Sequence, residues 1–106
     1  MFKHAIRAVV LAAPTYVLAA NVDMTSITCQ ELFFNQPAKD KVAIVALNLQ
    51  WFSGYYHHEA GRTSVDVEKQ RKLGVALGQY CSQHRQAKVF DVYGRLFREI
   101  YQGKSL

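Results

Sequence analysis

Cysteine is scarce in this chain. Cys29 and Cys81 are the only two among 106 residues. Neither belongs to a CxxC pair, and no HExxH pattern occurs, so no zinc site of the usual ligand spacing is encoded. Ser53 precedes Gly54 but sits in no G-x-S-x-G elbow. A phosphate-cradling P-loop and a dinucleotide fingerprint are both missing. With no assembled nucleophile–base pair, the chain reads as a non-enzyme that needs no cofactor. Internal repeats, low-complexity tracts and sustained heptads are absent, as is any alternating apolar–polar run that would argue for a sheet. Beyond residue 20 no apolar stretch reaches transmembrane length.

The first 20 residues differ from the rest. Lys3, His4 and Arg7 precede an apolar run from Ala8 to Ala20, the pattern of a secretory signal peptide with a cleavage site at Ala19 and Ala20. Pro14 interrupts a run already short for a bilayer; an uncleaved anchor is the alternative. Cleavage leaves residues 21–106 as one small domain, a size at which an apolar core alone is marginal. Export delivers both thiols to an oxidising space, where disulfides persist. Two cysteines allow one intramolecular pairing; closing a loop of this length stabilises by roughly 4 kcal/mol in the chain-entropy model. Loss of Lys3 and Arg7 lowers the formal net charge of +5 by two. That balance is weak for nucleic acid, despite basic faces at Lys69, Arg71 and Lys72 and at Arg95 and Arg98.

Asn21 to Ile27 is polar and aperiodic, a loose arm. Thr28-Cys29-Gln30-Glu31 has the form of a capping box and opens a short helix through Leu32, Phe33 and Phe34. Asn35-Gln36-Pro37 breaks it, and Pro37 suits the first turn of a second helix over 38–53. That helix is apolar nearly all round from Val42 to Leu47, so it must be buried on several sides or share a side with a partner. A buried strand over 42–47 is the competing reading; length and Pro37 favour helix. Gly54 to Arg62 reads as a glycine-bounded loop containing His57-His58-Glu59. Adjacent histidines point different ways and His84 is distant, so this is a solvated His-rich loop and no metal site is expected. A third helix over 67–84 has an apolar stripe of Val67, Leu73, Leu77, Tyr80 and Cys81, with Gly74 and Gly78 allowing close helix approach. A fourth, over 87–101, is amphipathic through Val89, Tyr93, Leu96 and Ile100, and Gly103 follows. The expectation is an all-α, small single-domain bundle of about four helices closed by one disulfide. Its aromatic load exceeds what so small a core can enclose, so some apolar area should be shared with a second copy or a client.

Thr28-Cys29-Gln30-Glu31-Leu32-Phe33 is similar to the opening of the HdeA/HdeB family of small periplasmic acid-stress chaperones. The Pro37 break, the apolar second helix, Val65-Asp66-Val67, Gln79-Tyr80-Cys81-Ser82-Gln83 and Gln86-Ala87-Lys88-Val89-Phe90 continue the resemblance over about residues 26–100. The resemblance implies a periplasmic protein that is a homodimer near neutral pH. In acid it dissociates, loosens without ATP and holds acid-unfolded periplasmic proteins, with no stable membrane insertion after signal cleavage. Carried over by position, Cys29 and Cys81 form the bridge. Val42, Ile44, Val45, Leu47 and Leu49, with Trp51 and Phe52, form the client or dimer surface. Glu31, Asp40, Asp66, Glu68, Asp91 and Glu99 are the expected pH-sensing carboxylates: any that is paired or capping in the fold loses that contribution as pH falls. His57, His58 and His84 add positive charge in mild acid. The mature chain is basic and its tails are short, unlike the charged tails that keep the family's client complexes soluble. A constitutive envelope module that binds or inhibits a folded partner, with the same fold and no acid-chaperone activity, is therefore the alternative.

Overall fold

The structure, a computed structural model, describes residues 21–103, so the expected signal peptide over 1–20 lies outside the described residues. Four helices follow one another: α1 (Cys29–Phe33), α2 (Lys41–Glu59), α3 (Val67–Gln83) and α4 (Val89–Gln102). There is no strand among the described residues; a single antiparallel bridge joins Thr28 to Lys88.

Side-chain caps start two of the four helices, α1 and α3. Thr28 and Glu31 close the capping box in both directions: the Thr28 hydroxyl accepts from the Glu31 N–H at 3.1 Å, and the Glu31 carboxylate accepts from the Thr28 N–H at 2.9 Å. Three backbone bonds then pin this corner to the α3–α4 turn: Cys29 N–H to Ala87 O, Gln30 N–H to Arg85 O and Val89 N–H to Ile27 O, all 2.8–2.9 Å. Pro37 to Asp40 forms a separate turn, and α2 begins only at Lys41. The Asp66 carboxylate caps α3 by accepting from the Lys69 N–H at 3.0 Å. Gly103, in the left-handed region at φ 68°, closes α4.

Residues 42–47 are helical, which settles the strand alternative. The expected loop over 54–62 is not a loop at its start: α2 runs through Gly54 to Glu59 and stops at Gly61, whose φ of 71° lets Arg62 N–H reach His57 O at 2.8 Å. One interior glycine costs a helix about 1 kcal/mol. The extra turns recover more than that, because they carry Tyr56 and His57 onto the aromatic face of α4.

The core is built from Leu32, Phe52, Leu73, Leu77, Val89, Tyr93 and Phe97 around the Cys29–Cys81 disulfide, whose two cysteines are fully buried. Two expectations for α3 fail. Val67 is 79% exposed, not part of the stripe. Stepping back from Leu77 and Leu73 by helical turns reaches Gln70, which turns inward, donates to the Tyr93 hydroxyl at 2.7 Å and accepts from the Tyr101 hydroxyl at 3.0 Å. A Cβ at Gly74 or Gly78 would meet nothing within 4 Å, so neither marks a close helix approach. The glycine that does is Gly94 of α4, where a Cβ would stand 2.5 Å from the Tyr56 hydroxyl oxygen.

Candidate interaction surface

Helix α2 divides in two along its length. Its C-terminal half docks on α4: Phe52 is fully buried and packs on Tyr93, while the Tyr56 hydroxyl donates to Phe90 O at 2.8 Å. Burial pushes the Tyr56 phenol up to about 12. Tyr93 and Tyr101 are raised by the same desolvation. These phenols therefore remain neutral hydrogen-bond donors throughout the acid and neutral range.

The N-terminal half of α2 is mostly uncovered. Val42 is 82% exposed, Leu47 66% and Trp51 43%, while Ile44, Val45 and Leu49 are half-buried. Six of the seven residues expected on an apolar surface thus lie on this exposed or partly exposed stretch, and Phe52 belongs to the core instead. Helical spacing explains the exception: Phe52 lies on the same side as Tyr56, one turn on, and both face α4. Beside the helix runs a cleft of about 650 Å³, walled by Ile44, Leu47 and Trp51 on one side and Val22, Met24 and Ile27 on the other.

That second wall was not legible from periodicity. Residues 21–27 are no loose arm: Met24 and Ile27 pack against the core, and an Asp23 turn shapes the approach. The Asp23 carboxylate accepts from the Thr25 N–H at 3.0 Å and the Thr25 hydroxyl at 2.7 Å, which together hold it below the usual carboxylate range. The aspartate two residues before a threonine was the available signal. Sequence reasoning also missed Tyr55, which continues the surface: its ring stacks on Trp51, with centroids 5.7 Å apart and planes 12° apart.

The six candidate carboxylates do not form one network. Glu31 and Asp66 cap helices, and Glu68 pairs with Arg71 at 2.6 Å, which draws its carboxyl below the ordinary range. Asp40, Asp91 and Glu99 are exposed and make no ion pair among the described residues. The stabilisation from Glu68 is present at neutral pH and is lost as pH falls through its depressed value. Both partners are exposed, so this contribution is small. His57 is buried on the α4 side of α2 while His58 is exposed, and no three His, Cys, Asp or Glu side chains among the described residues converge as a metal-binding group.

The described residues form a miniature helical bundle closed by a buried disulfide, with the N-terminal half of an apolar helix exposed or partly exposed. The HdeA/HdeB family model matches residues 3–91, and the chain belongs to that family of acid-stress chaperones. No curated protein and no solved structure gives a significant match. No described helix is long and apolar enough to cross a membrane.

Proposed function

We propose that this protein is a periplasmic, ATP-independent holdase that loosens at low pH and binds acid-unfolded proteins through the apolar half of α2. The observation that carries this reading is the exposure of Val42, Leu47 and Trp51 along the apolar half of α2, on a bundle in which Cys29–Cys81 ties α1 to the end of α3. An apolar stretch of this extent is costly to leave in water unless a partner covers it part of the time. At neutral pH a second copy covers it, giving a homodimer; in acid the copies part and clients take its place. Residues 1–20 act as the export signal, and the mature domain is 21–106. The bridge limits how far the acid-loosened chain expands, so the helices stay near one another while their apolar faces become available.

Aggregation of an acid-labile client, followed at about pH 3 and at pH 7 with the protein's compactness measured in parallel, tests this. Suppression confined to acid, together with loss of the dimer, supports the holdase. A protein that stays compact in acid and protects nothing refutes it. One observation favours the alternative, a constitutive envelope-binding module: the α2 face is already open in the folded bundle. Binding of a folded partner at pH 7, with no protection in acid, identifies that case.

A further inference from the structure

His57 is the one polar side chain buried in the core among the described residues, at 5% exposure. Its Nδ1 lies 2.8 Å from the Ser53 carbonyl oxygen and 3.3 Å from the Ser53 hydroxyl. A carbonyl only accepts, so Nδ1 carries the proton and Nε2 holds a lone pair. Nε2 is buried and has no hydrogen-bond partner. The ring is gripped edge-to-face by Phe97 and Tyr101, with centroids 5.0 Å and 4.8 Å away. A neutral imidazole fits this cage at the cost of one unmade acceptor bond. A second proton would create a buried cation whose new N–H has nothing to donate to.

No carboxylate lies within ion-pair distance of that ring among the described residues. From the loop after α2, the Arg62 guanidinium lies 5.0 Å from the Tyr101 ring centroid, and from α3 the Lys69 ammonium lies 5.7 Å from it. The Asp66 carboxylate is engaged as the cap of α3. The Tyr101 hydroxyl is committed to Asp66 O and Gln70, that of Tyr93 to Gln70, and that of Tyr56 to Phe90 O. Glu59 and Arg98 line the outer side of the Tyr56–Phe97 contact, His58 is exposed, and His57 makes no ion pair among the described residues. Aromatic rings attract a cation by roughly 2 kcal/mol at best when desolvated. Here Tyr101 already faces two cations, Arg62 and Lys69, which repel a third.

His57 also sits at a joint. Its carbonyl accepts from Ala60 and Arg62, closing the last turn of α2, while its ring holds that turn against the last turns of α4. We propose that His57 is an acid trigger: protonation at Nε2 expels the imidazole from the Phe97–Tyr101 cage and releases the C-terminal turns of α2 from α4. This rests on the acid-loosening reading and supplies its regulation.

The test compares wild type with His57→Gln, which keeps a donor for the Ser53 carbonyl, and His57→Phe, which fills the cage. Urea unfolding followed by circular dichroism between about pH 7.5 and pH 5 brackets the ordinary imidazole range. One proton taken up on opening raises the wild-type unfolding constant by up to about tenfold per pH unit there. The glutamine variant should lose most of that slope. Imidazole NMR should show His57 as the neutral Nδ1–H form in the folded protein, with the charged form appearing only alongside the opened state. An unchanged slope in the variant, or a charged His57 in a protein that stays closed, overturns the proposal. If His57→Phe fails to fold, the glutamine variant and the wild-type titration still decide. None of these readouts uses a client, so acid protection persisting without the slope would sink the trigger and leave the holdase standing.

Discussion

Gly94→Ala tests how α2 is held to α4. An added Cβ would lie 2.5 Å from the Tyr56 hydroxyl oxygen, 2.6 Å from Cζ and 2.7 Å from Cε1, closer than real carbon contacts come. A flexible side chain would swing away cheaply, but the Tyr56 ring cannot. Its hydroxyl is bonded to Phe90 O, and its face packs on Tyr93 and Phe97 at 5.9 Å each. Overpacking of this kind costs about 1–3 kcal/mol. Loss of the Tyr56 hydrogen bond would add about 1 kcal/mol. Against this, alanine is better than glycine in a helix interior by about 1 kcal/mol. The net expectation is a loss of about 1–3 kcal/mol, and each kcal/mol moves Tm by roughly 4–8 °C in a domain this small. Gly74→Ala and Gly78→Ala are the internal controls: a Cβ there has open space, so each should stabilise by about 0.5–1 kcal/mol. Urea unfolding at neutral pH reads all three. A Gly94→Ala protein as stable as the two controls would refute the docking of Tyr56 described above.

Replacing both cysteines by serine should lower stability by about 4 kcal/mol, most of what so small a domain has, seen as a collapse of the urea midpoint. Leu47→Ser and Val42→Ser, on exposed positions, should change stability by no more than about 0.5 kcal/mol yet weaken both self-association and client protection. Tyr56 is the alkaline counterpart: its folded value of about 12 lies above the ordinary 10, so its contribution is complete below about pH 10 and is lost as pH rises toward 12. Tyr56→Phe should be less stable at pH 7 by about 1 kcal/mol and should lack that alkaline loss. A denaturation series from pH 8 to about 12 checks it.

The parts of this fold legible in the sequence are those governed by neighbours along the chain. Thr28 and Glu31 announce α1 because a capping box is closed within four residues, and Gly103 announces the end of α4 because only its own φ matters. The parts that escaped depend on contacts made across the bundle. Gly54 looks like a breaker beside two histidines, yet Tyr56 and His57 find aromatic partners on α4 and carry the helix past it. Gln70 looks like a solvent-facing polar residue, yet two buried phenols need its amide. Met24 and Ile27 show no period because they pack from an irregular arm, and with them half of the cleft beside α2 was hidden. The apolar run from Val42 to Trp51 was legible as a surface in want of a partner; which of its residues turn inward was not, because Phe52 is set by the position of α4.

Trp51 is the only tryptophan in the chain and stands on the candidate surface, so its emission reports directly on what that surface touches. The decisive measurement is the fluorescence of Trp51 on adding a tryptophan-free, acid-unfolded client at about pH 3. Emission should shift to the blue and saturate with client, and should not shift when the same client is folded at pH 7. Emission that does not move while aggregation is suppressed would place the client elsewhere and contradict the assignment of α2.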